Sequence, residues 1–118
     1  MSEDYLFVYG TLKKGFVNHS YLRGAKFVGK AYTKSKYALY VGEYPFVVKN
    51  QPLSNIFGEL YEINEAILSH VDELEEHPDL YCREKVPVII EEKEEEVLAW
   101  IYFFPRPRGR LVRDGVFK

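Results

Sequence analysis

The sequence predicts an α+β protein, a small mixed and mostly antiparallel β-barrel with one main helix, formed as a single domain over residues 1–118. Three observations predict it. Seven short segments are rich in aromatic and β-branched residues and are separated by Gly, Pro or charged clusters, as strands are. Only one stretch, Asn64 to Glu76, repeats its apolar residues at helical spacing. The helices that parallel strands need for their crossovers are missing, so a sheet curled on itself is favoured over βαβ units.

Each element has its own signal. Tyr5 to Tyr9 (Y-L-F-V-Y) is a continuous apolar run closed by Gly10, the pattern of a buried strand. Phe27 to Thr33, Lys36 to Val41 and Tyr44 to Lys49 are short strands punctuated by Gly42 and Pro45. Ile56 to Ile63 is a further strand, in which Gly58 indicates a bulge or a close backbone approach. Asn64 is a good N-cap for the helix, which runs to about Glu75 and is ended by His77-Pro78. Tyr81 to Glu92 and Glu96 to Phe104 form a final hairpin whose solvated loop is the acidic run Glu91 to Glu95.

Composition narrows the function. A chain of 118 residues can bury one core, and 47% hydrophobic with 16% aromatic residues excludes disorder. A net charge of −2 offers no general attraction to nucleic acid or an anionic membrane. Arg106, Arg108, Arg110 and Arg113 form the sole basic cluster and read as a solvated tail crossing the barrel. Cys82 stands alone, which excludes an intrachain disulfide or a thiolate zinc cluster, and its strand position suits an inert thiol. His19, His70 and His77 lack metal-ligand spacing and read as surface or capping residues. The start M-S-E-D-Y lacks a cationic leader region, and no apolar run approaches the ~18 residues of a membrane span. A soluble, cytoplasmic protein is expected.

Glu75 breaks the pattern of its own helix. The apolar stripe is Ile67, Leu68, Val71 and Leu74, and Glu75 falls inside it, four residues after Val71 and seven after Leu68. Glu65, Glu73 and Glu76 lie outside the stripe. Burial of an unpaired carboxylate costs several kcal/mol, so a buried Glu75 needs a partner or a purpose. Periodicity alone leaves a second reading open, a frayed helix end that lets Glu75 reach water.

A second segment, Tyr9-Gly10-Thr11-Leu12-Lys13-Lys14-Gly15, follows the first buried strand directly. A glycine there allows a sharp turn that aims consecutive N–H groups at one point, as in loops that bind a carboxylate or an oxyanion. Thr11 adds a hydroxyl. The segment is not a P-loop, which requires Gly-Lys-Ser/Thr after four intervening residues. By itself the segment is a weak signal, and a strand-ending glycine turn is the simpler explanation of it.

The two segments together resemble the γ-glutamylcyclotransferase-like family, particularly its γ-glutamylamine branch. The residues carrying the resemblance are V-Y-G-T-L-K-K-G followed by Asn18-His19, then Phe57-Gly58-Glu59-Leu60-Tyr61, and V-D-E-L-E-E-H-P followed by L-Y-C-R-E-K-V-P-V. They span nearly the whole chain. Val71 departs from the family's usual Leu and Glu76 from its common Gly, which bears on substrate identity at the cavity mouth. The resemblance implies a closed or nearly closed barrel with the helix packed beside it, and it places the family's catalytic glutamate on Glu75. It implies an internal aminolysis in which the α-amine of a γ-glutamyl group attacks its own γ-carbonyl, giving 5-oxoproline and an amine. One carboxylate can serve as base and then acid, so neither metal nor cofactor is required. Desolvation against Leu68 and Val71 would strengthen Glu75 as a base. Tyr9, Gly10, Thr11 and Leu12 would receive the substrate's anionic group, with Tyr44, Pro45 and Tyr81 as further pocket residues or plain barrel aromatics. The implied partner is a small γ-glutamyl molecule, with the protein a monomer or homodimer. The competing functions are a non-catalytic carboxylate-binding domain on the same fold and, after it, a nucleic-acid-binding barrel using the Arg tail.

Overall fold

Eight strands build one sheet that closes on itself. The computed structural model describes residues 4–118, and the opening Met1–Glu3, part of the acidic start considered above, lies outside the described residues. The strands are β1 (Asp4–Val8), β2 (Lys26–Thr33), β3 (Ala38–Val41), β4 (Pro45–Val48), β5 (Phe57–Ile63), β6 (Cys82–Ile90), β7 (Glu95–Phe103) and β8 (Arg110–Val112). A 3-10 turn, His19–Leu22, precedes β2, and the helix α1 (Glu65–Glu75) separates β5 from β6. The sheet order is β1-β5-β2-β6-β7-β4-β3-β8, with β1 also paired to β7. That last pairing is parallel, Leu6 opposite Trp100, and it closes the ring. Beyond the ring β7 carries β4, again parallel, through Val47 opposite Phe103. The closed, mixed and mostly antiparallel barrel with one main helix is therefore the fold of this chain.

The continuous apolar run of β1 reflects burial on both faces. Phe7 and Tyr9 join the barrel interior with Leu39, Val47, Leu60, Val88 and Ile101. Leu6 and Val8 face outward, into a second cluster with Leu68 and Val71 of α1, and with Tyr61 and Tyr102. The helix thus lies on the outer face of the barrel beside the β1–β7 seam. Its N-cap is Asn64, whose Oδ1 accepts from the Ile67 amide at 2.9 Å. Its C-cap is Glu76 in the left-handed region (φ 55°), a conformation that favours glycine.

Several local expectations need correction. Among the described residues there are eight strands, because the Arg-rich tail contributes β8, which pairs with β3 through Leu39–Val112, Tyr40–Leu111 and Val41–Arg110. Tyr81 precedes its strand, and β3 begins at Ala38, after Tyr37 has formed an isolated bridge to Ser54. Gly58 marks a close approach, since a Cβ there would strike the Val8 carbonyl oxygen. The bulge lies in the neighbouring strand instead, in β2 between Phe27 and Gly29, opposite Tyr61 and Leu60, whereas Gly58 pairs with Ala31. Among the described residues no helix is long and apolar enough to cross a membrane.

Candidate active site

Beside the helix end, a cavity of about 440 Å³ opens between the Tyr9–Leu12 loop, the Tyr44-Pro45 corner and the end of α1. All eight residues singled out from the sequence line it: Tyr9, Gly10, Thr11, Leu12, Tyr44, Pro45, Glu75 and Tyr81. Sequence reasoning missed Phe7, Val8, Val17, Leu74, Leu80 and Tyr102 as wall residues, and Asn18 was noticed only as part of a motif.

Glu75 is the last residue of α1, and its end of the helix does not fray. Its main-chain carbonyl accepts from the Tyr81 amide at 3.2 Å, while the next residue caps the helix. Among the described residues its carboxylate has no hydrogen bond and no ion pair. It is half-buried, and burial alone raises its carboxyl from 4.5 to about 7. The surrounding wall is Phe7, Leu74, Leu80 and Tyr81, whereas Leu68 and Val71 pack in the cluster beneath the helix. The desolvation expected for Glu75 is present.

The loop is held from outside. The Lys13 amide closes a turn onto the Gly10 carbonyl at 3.0 Å, and the Asn18 amide donates to the Thr11 carbonyl at 2.9 Å. Asn18 Nδ2 donates to Thr11 Oγ1 at 2.9 Å, leaving the threonine proton free to donate elsewhere. His19 Nδ1 meets the Leu12 carbonyl oxygen at 2.9 Å, so this histidine tethers the loop. Lys13 Nζ donates to the Phe117 carbonyl at 2.7 Å. Among the described residues the amides of Gly10, Thr11 and Leu12, all three residues of the cavity lining, have no acceptor.

Gly10 is required for a reason other than the one anticipated. Its φ is not positive, as those of Gly15 and Gly24 are, so no special turn conformation is involved. A Cβ on Gly10 would instead lie 2.6 Å from Pro45 Cγ. The Pro45 ring fills the space that a side chain would take, which makes Pro45 a wall of the loop as well as of the cavity.

The remaining polar groups are tyrosines. The Tyr9 hydroxyl donates to the Tyr102 carbonyl at 2.8 Å, and burial pushes its pKa well above the ordinary phenol value, with Tyr81 and Glu75 adding to the shift. Tyr81 makes a long contact, 3.4 Å, to the Pro45 carbonyl, and it too is shifted upward, first by burial and then by Glu75. Both stay protonated and neutral at ordinary pH, so neither adds an anion to the cavity. Chemically the site offers one proton acceptor poised near neutrality, backbone donors for an anion, and apolar walls that exclude water.

Comparison with known proteins shows the family. Residues 6–118 match the γ-glutamyl cyclotransferase, AIG2-like family. This chain belongs to that family. It is 50% identical over 116 residues, 98% of its own length and 96% of the other's, to a Methanocaldococcus jannaschii protein provisionally named a γ-glutamylcyclotransferase. A Bos taurus protein named γ-glutamylaminecyclotransferase is 40% identical over 95 residues, which cover 73% of this chain and 56% of that one. Among solved structures, the crystal structure of an AIG2-like protein from Mus musculus superposes with a TM-score of 0.78 at 28% identity, over 87% of this chain and 78% of that one. For a member of this family, the cavity at the end of α1 is the candidate active site.

Proposed function

We propose that this chain is a γ-glutamylcyclotransferase-type enzyme in which Glu75 carries the proton. The observation that supports the reading best is the presence, in one cavity, of an unpartnered carboxylate held near neutrality and three backbone amides without acceptors. The amides of Gly10 to Leu12 receive the α-carboxylate of a γ-glutamyl compound. Glu75 takes a proton from the α-ammonium, and the freed amine attacks the γ-carbonyl carbon to form the new C–N bond. The tetrahedral oxyanion then collapses and the old C–N bond breaks as Glu75 returns its proton to the leaving nitrogen. The second proton, still on the new ring nitrogen, then passes by way of Glu75 to the departing amine, which leaves as its ammonium. The products are 5-oxoproline and an amine, and Glu75 ends ionised, as it began.

Holding the glutamyl chain folded can supply a large share of the rate. Ring closure is unimolecular, and orientation of this kind supplies up to ~7–11 kcal/mol in model reactions. The likeness to the bovine γ-glutamylaminecyclotransferase favours a γ-glutamylamine as the substrate.

The test is incubation with a panel of γ-glutamyl amines and γ-glutamyl amino acids, each paired with its α-N-acetyl derivative. Release of 5-oxoproline from the free-amine members and from none of the acetylated ones is expected. Binding of the panel without product at any pH would make the protein a carboxylate-binding domain instead.

A further inference from the structure

Behind the cavity wall, Asp72, Arg83 and Tyr102 form a network that the proposed chemistry does not use. Arg83 Nε and Nη2 donate to the two Asp72 carboxylate oxygens at 2.7 and 3.0 Å, a forked pair. The Tyr102 hydroxyl donates to Asp72 Oδ1 at 2.6 Å. The guanidinium lies 4.2 Å from the Trp100 ring centre, and the Arg83 amide donates to His77 Nδ1 at 3.3 Å. The two charged side chains are only 18% and 20% exposed, against 58% and 48% for the surface pair Lys34–Glu96. A shielded, forked pair of this kind holds its geometry where a surface pair does not.

The network's place in the fold gives it a role. Asp72 is three residues before Glu75 on α1, and its main-chain carbonyl accepts from the His77 amide at 3.0 Å across the helix end. Tyr102 is tied at its hydroxyl to that helix and at its carbonyl to the hydroxyl of Tyr9, which opens the loop. A helix end carrying a desolvated carboxylate and a left-handed glutamate cap is driven to open toward water. The ties to β6 and β7 oppose that opening.

We propose that Arg83, Asp72 and Tyr102 are positioning residues that brace the last turn of α1 against β6 and β7 and hold Glu75 in register with the Tyr9–Leu12 loop. The inference rests on Glu75 being the proton carrier. The titratable groups facing Glu75 are Tyr9, Tyr81 and Tyr102, with Glu76 beside it on the helix end.

The experiment compares Tyr102→Phe, Arg83→Lys and Arg83→Met with wild type, and with Lys34→Met as a surface-pair control. Turnover is measured well below each protein's melting temperature, with KM and the pH midpoint of kcat. Tyr102→Phe keeps the ring and the carbonyl and removes one bond. Its kcat should fall ~10-fold, and that of Arg83→Met further, with KM changed by less than ~2-fold. The midpoint of kcat should move to lower pH in both, because a loosened helix end admits water to Glu75. Arg83→Lys should fall between them, and Lys34→Met should match wild type. If melting temperatures drop while kcat and its midpoint stay at wild-type values, the brace is structural only and the inference is wrong. If Arg83→Met does not fold, the other two variants decide by the same criteria. Glu75→Gln run alongside separates the failures: an active Glu75→Gln overturns the role of Glu75, whereas an inactive one with unaffected brace variants overturns the brace alone.

Discussion

Asp72 and Glu75 stand one turn apart on the same face of one helix end and are driven in opposite directions. Burial pushes both carboxyls up, but Arg83 and Tyr102 outweigh it at Asp72 and hold that group below its usual value. Nothing outweighs it at Glu75, which rises to about 7. One acid is locked as an anion and the other is left able to gain and lose a proton in the neutral range.

The pH dependence of stability follows from that contrast. Glu75 has a folded pKa above its unfolded value of 4.5, so its contribution is full below 4.5 and is lost as pH rises through about 7. The difference amounts to ~2–3 kcal/mol, allowing for partial solvation at the cavity. Asp72 acts in the opposite sense, its contribution being lost as pH falls below the ordinary carboxylate range. Urea unfolding of wild type and Glu75→Leu should therefore diverge between pH 5 and 8, with the variant the more stable at pH 8. Parallel curves would place Glu75 in water.

Activity should show the same group from the other side. Only ionised Glu75 can accept the ammonium proton, so kcat should rise with pH through a midpoint near 7. A midpoint near that of an ordinary carboxylate would mean that the proton acceptor is solvated or is another residue.

The anion loop predicts unequal costs for neighbouring substitutions. Gly10→Val forces the Pro45 ring out of its place, because even a Cβ at Gly10 meets Pro45 Cγ at 2.6 Å. It should raise KM at least ~10-fold. Thr11→Ala removes one hydroxyl and should cost ~0.5–1.5 kcal/mol of binding. Titration with a γ-glutamyl ligand and its α-carboxamide checks the site itself. Wild type should prefer the acid and Gly10→Val should bind both poorly; equal affinity of wild type for the two would put the carboxylate site elsewhere.

Glu76 occupies a left-handed position with φ 55°. Glu76→Gly should raise stability by ~0.5–1 kcal/mol, net of glycine's entropic cost in the unfolded chain. A melting temperature that falls instead would show that the Glu76 side chain makes a contact worth more than the strain it carries.

Much of this architecture can be read in the chain because its causes are local. Helical spacing with Asn64 ahead of it locates α1, and the Y-L-F-V-Y run ended by Gly10 locates β1 and the loop. The phase of Glu75 against Leu68 and Val71 draws attention to the cavity before any coordinates do. What local pattern cannot show is long-range. The β1–β7 seam that closes the barrel rests on Leu6 opposite Trp100, and β8 is three residues of an Arg-rich tail made into a strand by β3. The need for glycine at position 10 comes from Pro45, which is distant in sequence. Likewise Asp72 meets Arg83 and Tyr102 only after folding, so nothing in the local sequence pattern marks the brace.

The role of Glu75 is tested most directly by the rate of 5-oxoproline release from one γ-glutamylamine, measured for wild type, Glu75→Gln and Glu76→Gln at pH 8. Gln keeps the shape of Glu and removes the base. The predicted result is product from wild type, a loss of at least ~100-fold in Glu75→Gln with the substrate still bound, and most of the activity retained in Glu76→Gln. Equal rates for wild type and Glu75→Gln would contradict the proposed mechanism, and equal losses in the two variants would remove the distinction between the cavity acid and its neighbour.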